Sequence, residues 1–153
     1  MKEIVTPEDF CWLYACGCLE MRLQAKTLSH NNYKTALWYL ANGRFPRAEE
    51  VRAWFPKPFS LLEKDGITCT LEQMQNFWRV DHFDPREESP VCPGQIKTIH
   101  ETGEGPELVR AEGLSLVSPK CTLLVASNMH RYLLRSGELV LIHGFVVAER
   151  LSQ

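Results

Sequence analysis

The chain has 153 residues, 44% apolar and 24% charged, which is enough to bury a core as one domain or two small ones and too apolar for a disordered segment. Lys and Arg match Asp and Glu at ten each over residues 1–83 and stand at seven against nine over residues 84–153, giving the net charge of −2. Neither half has the basic excess that draws a protein to nucleic acid or acidic lipid, and no apolar run reaches the length of a bilayer span. "MKEIVTPEDF" holds no apolar signal core, so the expected location is the cytoplasm.

Thr6 followed by Pro7, Glu8 and Asp9 predicts a helix start: an N-cap, a proline at the first helical position and acids in the first turn. Behind it Phe10, Leu13, Tyr14, Gly17 and Met21 recur at helical spacing, so one stripe should face a core. Cys11, Cys16 and Cys18 lie in this stretch. Their spacing leaves two readings, a metal site or a helix packed through small residues, and no second C-x-x-C or His pair completes a tetrahedral set. The chain has six cysteines, expected as reduced thiols in the cytosol.

A second helix is predicted after Asn32, carrying Ala36, Leu37 and Leu40 inward and stopping at Gly43. A third fits residues 46–54, ended by "PKP". Thr70 and Gln73 form a capping box ahead of Leu71, Met74, Phe77 and Trp78 and predict the last of four short helices. Trp12, Trp38, Trp54 and Trp78 read as core side chains. His30, Arg79 and His82 read as solvated surface.

Past Phe83 the composition changes. "DPREESP", residues 84–90, is charged, bracketed by prolines and without period, as a linker is. From there apolar and polar residues alternate in pairs: Ile96 and Thr98 against Lys97 and Ile99, then "ELVRAEGLSLV", "CTLLVAS" and "ELVLIHGFVVAERL". Turn signals separate them at "ETGEGP", "SPK", "SN" and "RSGE". About five short strands in so few residues suit a small barrel of the OB type. The expected fold class is α+β: a helical domain over 1–83, a linker over 84–90 and a small β-barrel over 91–153.

"VCPGQIKTI" at the start of the barrel and "GELVLIHGFVVAERL" at its end resemble the two ends of the HypC/HupF family, the small barrel chaperones of nickel-iron hydrogenase maturation. Pro93, Gly94, Gln95 and Ile96 match the family's opening; Gly137, Val140, Leu141, Ile142, His143, Gly144 and Phe145 match its closing. The resemblance covers the barrel and leaves the helical half unmatched. It implies a non-enzymatic assembly factor that docks on a hydrogenase large-subunit precursor or a maturation scaffold protein, with Cys92 and His143, beside Pro93 and Gly94, at the site for partner and iron centre. No stably bound cofactor is implied, only a transient iron centre. Thiolate and imidazole both suit such iron.

The family's cysteine stands in C-x-x-x-P-G, whereas Cys92 abuts Pro93. Cys92 therefore reads either as a ligand or as a small apolar residue opening a strand. Two other function classes stay open: a small thiol-dependent enzyme with Cys92 as nucleophile and His143 as base, and an OB-like module for a different partner. Single-stranded nucleic acid is disfavoured by the acid balance.

Overall fold

The computed structural model of the chain describes residues 2–83, 90–103, 105–114 and 123–151. The expected linker lies outside these apart from Pro90, as does Cys121. The fold is α+β, helices followed by a closed five-stranded barrel. It divides into two compact units, Lys2–His82 and Phe83–Gln153.

In the helical unit α1 (Pro7–Ala15) starts as its sequence dictates, Asp9 N–H donating to Thr6 Oγ1 at 3.1 Å. It is not a helix with a single inward stripe, because every residue from Asp9 to Ala15 is buried and the helix packs against α4 (Ala48–Trp54) and α6 (Leu71–Arg79). A helix apolar on all sides belongs in the middle of its unit. The tight 3-10 turn Cys16–Cys18 then shifts the helical phase before α2 (Leu19–Gln24), and Met21, expected inward, is exposed.

Helix α3 (His30–Ala41) begins earlier than its asparagines suggest, since Ser29 Oγ accepts from Asn32 N–H at 3.1 Å and captures the cap. Ala36 and Leu40 point inward as expected; Leu37 does not. Trp38 departs from the core reading outright. It is 52% exposed, packed edge-on against Tyr39, while Trp12, Trp54 and Trp78 are buried. "PKP" ends α4 and also opens α5 (Pro56–Leu62), because Pro56 occupies the first position of the new helix, where no N–H is needed. The capping box of α6 forms as read, with Gln73 N–H to Thr70 Oγ1 at 3.1 Å and Thr70 N–H to Gln73 Oε1 at 2.8 Å.

Arg52 ties three parts of this unit together. It donates to both oxygens of Glu63 at 2.7 and 2.8 Å and to Glu8 at 2.9 Å, and its guanidinium lies 4.4 Å from the Phe59 ring centre. These bonds, with one from Cys69 N–H, hold the Glu63 carboxyl at about 2, below its ordinary 4.5. His82 and Arg79 also leave the solvent role expected of them. The His82 ring lies 4.5 Å from Trp78 and 4.9 Å from Phe77, and Arg79 covers Phe10 at 5.0 Å. Burial, with Lys57 nearby, depresses His82 to about 4.

Two acid-sensitive windows follow from these depressed values. The contribution of neutral His82 is complete above its ordinary 6.5 and is lost as pH falls toward about 4. That of ionised Glu63 is complete above 4.5 and is lost toward about 2. Chemical unfolding of the helical unit at stepped pH should show stability declining first in the upper window. His82→Phe should flatten that window alone, and Arg52→Met should flatten the lower one while costing about 1–3 kcal/mol at neutral pH.

The barrel comprises β1 (Val91–His100), β2 (Leu108–Gly113), β3 (Leu123–Ser127), β4 (Leu139–His143) and β5 (Val146–Arg150), closed in the order β1-β2-β3-β5-β4. All pairings are antiparallel except β3–β5, a parallel contact with Ser127 opposite Val146. Ile96, Val109, Ala111, Ala126, Val140, Ile142 and Val147 fill the interior. Simple alternation would put Ile96 and Ile99 on opposite faces. A register shift between Ile96 and Thr98 inserts Lys97 as an extra residue, so that Ile99 also packs on the core and Thr98 is exposed.

Candidate functional site

The two segments that carry the family resemblance are neighbouring strands. β1 pairs with β4 in unbroken register, Val91 opposite His143, Cys92 opposite Ile142, Pro93 opposite Leu141, Gly94 opposite Val140 and Gln95 opposite Leu139. Residues directly opposed in an antiparallel pair share a face, and the face changes at every residue. Ile142 and Val140 belong to the interior cluster, so Cys92 and Gly94 take the inner face, whereas His143 and Val91 take the other. Cys92 is 8% exposed with a loose contact from Sγ to the Pro90 carbonyl at 4.0 Å; His143 is fully buried.

The register therefore brings Cys92 and His143 close along the strands and turns their side chains apart. A ligand pair or a nucleophile with its base needs both groups on one side of the backbone. This arrangement does not fit an iron centre held jointly by the two. Among the described residues no three of His, Cys, Asp and Glu gather in a group that could hold a metal.

Pro93 and Gly94 have structural reasons for their places. In an extended residue N–H and C=O project to the same edge; the Pro93 carbonyl accepts from Leu114 N–H at 2.9 Å, on the side of β2 just beyond that strand's last residue. The missing proline N–H thus leaves the β1–β4 ladder intact. At Gly94 a Cβ would lie 3.3 Å from Ala111 Cβ and 3.4 Å from the Glu112 carbonyl oxygen, so glycine permits the close approach of β1 and β2. Gly144, at φ +59°, forms with Phe145 the two-residue turn between β4 and β5. That turn needs a residue at ease with positive φ.

Three other thiols, Cys11, Cys16 and Cys69, are buried and set up for packing. Cys11 and Cys16 are completely buried, and loss of water raises both thiols well above their ordinary value. Cys16 Sγ contacts the Leu13 carbonyl at 3.7 Å. Burial, with Glu63 beside it, pushes Cys69 up to about 11. On native protein near neutral pH, a thiol reagent followed by peptide mapping should find Cys92, Cys11 and Cys16 labelled far more slowly than in denaturant. Rapid native labelling of Cys92 would restore the ligand reading of that residue.

Sequence reasoning missed the polar stitch that follows β3. Asn128 Nδ2 donates to the Tyr132 carbonyl at 2.7 Å and to Glu107 Oε1 at 3.0 Å, its Oδ1 accepts from Tyr132 N–H at 3.0 Å, and Tyr132 Oη donates to the Ala148 carbonyl at 2.6 Å. The only sequence signal was "SN", read as a turn. No protein-family model, curated protein or solved structure matches the chain.

Proposed function

We propose that the protein is a non-enzymatic accessory factor resembling the nickel-iron hydrogenase maturation chaperones, working in the cytoplasm by docking on a metalloenzyme precursor or a maturation scaffold protein. One observation carries this reading: the two family-like segments lie side by side as β1 and β4 of a small closed barrel, in register from Val91–His143 to Gln95–Leu139. With Cys92 and His143 on opposite faces, the barrel contributes a docking surface, and the iron centre is cargo held by the partner. The thiol-enzyme alternative loses support from the same register.

The test is deletion of the gene in its native host, followed by assay of the metalloenzyme and capture of its unprocessed large subunit on the tagged full chain. The expected results are accumulation of unprocessed precursor in the deletion strain and recovery of that precursor with the tagged chain. Normal maturation without the gene would overturn the reading.

A further inference from the structure

Between β3 and β4 the chain crosses the barrel as a segment of its own, leaving β3 beside Glu107 and reaching β1 through Ser136 Oγ to the Lys97 carbonyl at 3.0 Å and Gly137 N–H to the Ile96 carbonyl at 2.7 Å. Tyr132 and Leu134 pack against the barrel core, whereas Arg131, Leu133 and Arg135 are exposed. Leu133, at 85%, is the most exposed of the large apolar side chains described. A 3.1 Å bond from Leu134 N–H to the Tyr132 carbonyl makes Leu133 the apex of a three-residue turn. Neither the N–H nor the C=O of Leu133 has a hydrogen-bond partner among the described residues.

We propose that Arg131–Arg135 is a docking strip for an acidic peptide segment of a protein partner, an apolar side chain of the segment meeting Leu133 and carboxylates on either side of it meeting Arg131 and Arg135. The strip is held in advance. Asn128 fixes both backbone groups of Tyr132, Tyr132 Oη is anchored on β5, and Arg131 sits at φ +57°, a backbone state a non-glycine residue keeps only where its surroundings enforce it. A preformed strip spares the ordering cost of binding.

Charge selects the occupant. The strip gathers two of the seven basic residues of 84–153 into five positions, in a chain of net charge −2. The acids that flank it in the chain are each paired with another cation, Glu112 with Lys97 and Glu138 with Arg150. An apolar apex between two cations matches a segment reading acidic-x-apolar-x-acidic. Two cations and one leucine are too few for stable membrane attachment. The inference rests on the docking reading above and names the chemistry of the partner's segment.

The experiment is titration of the isotopically labelled full chain, followed by amide NMR, with capped peptides centred on Glu-Thr-Val-Thr-Glu and Lys-Thr-Val-Thr-Lys. Shifts should centre on the amides of Tyr132 to Arg135, with the acidic peptide about tenfold tighter at low salt and that margin collapsing near about 0.5 M salt, where screening is short-ranged. Leu133→Ser should weaken the acidic peptide by about fivefold or more. The pair Arg131→Asp and Arg135→Glu, the first chosen because Asp tolerates positive φ, should reverse the preference between peptides. No shift at these amides with several millimolar peptide, or equal response to both peptides, overturns the strip. Normal precursor maturation in the deletion strain overturns the docking reading while leaving the peptide result standing. Full complementation by the charge-reversed variant overturns the strip alone.

Discussion

Trp12→Ala will cost the helical unit about 3–5 kcal/mol, the range for emptying an aromatic site in a packed core. The indole is 1% exposed, with ring centres of Trp54 and Phe55 at 6.3 and 6.4 Å, and Trp54 in turn meets Tyr39 at 6.1 Å. Truncation removes the ring that joins α1 to the end of α4, and α1, buried on every side, has no solvent edge from which to relax. Since small domains hold only about 5–15 kcal/mol in total, the variant should sit near the edge of folding. Denaturant titration followed by circular dichroism gives the figure. Trp38→Ala, at the exposed tryptophan, should stay within about 0.5 kcal/mol. Comparable losses for the two would contradict the packing described.

In the barrel the corresponding change is Ile96→Ala, expected to cost about 2–5 kcal/mol. Ile96 is fully buried in the interior cluster, and its backbone bonds twice to the end of the β3–β4 segment just before β4, accepting from Gly137 N–H and donating to the Glu138 carbonyl. The cavity would open where β1 bends at its extra residue, with neighbours from every other strand unable to follow it inward. Cys92→Ala removes one sulfur from the start of the same strand and should cost only about 0.5–2 kcal/mol. Paired denaturant curves for the two variants, with precursor maturation assayed alongside, separate packing from function at Cys92. A nearly neutral Cys92→Ala that nonetheless abolished maturation would mean that the thiol acts chemically.

Local signals were legible wherever one residue governs one bond. Thr6 with Pro7, and Thr70 with Gln73, cap their helices as read, because a side chain three residues from its target needs no tertiary help. The signals failed where several candidates compete or packing decides. Ser29 and Asn32 can both cap a helix, and only the chain's path gives the site to Ser29. Proline stops one helix as readily as it starts the next, which hid α5. An aromatic spacing cannot say which side of α3 will be covered, so Trp38 was misread.

In the barrel the strands and their turns were visible, but the extra residue at Lys97 was not, because Ile96 and Ile99, three apart, fit a regular strand with apolar residues on both faces as well as they fit an insertion. The candidate site shows the same limit. That Pro93-Gly94 and His143-Gly144 stand at the ends of the barrel was legible from the motif-like segments. Which face Cys92 and His143 take depends on a register in which one step reverses every side chain, and no single residue announces it.

Closing the barrel through β1 and β4 has a consequence for synthesis. The first strand to leave the ribosome finds one of its two neighbours, β2, within a few residues, but the other is about forty residues further on, so the ladder from Val91–His143 to Gln95–Leu139 must wait. Meanwhile the helical unit, Lys2–His82, is compact in itself and can be complete. Until β4 emerges, β1 presents an unpaired edge, and this interval is when the nascent chain is most open to misassembly or to capture by another strand.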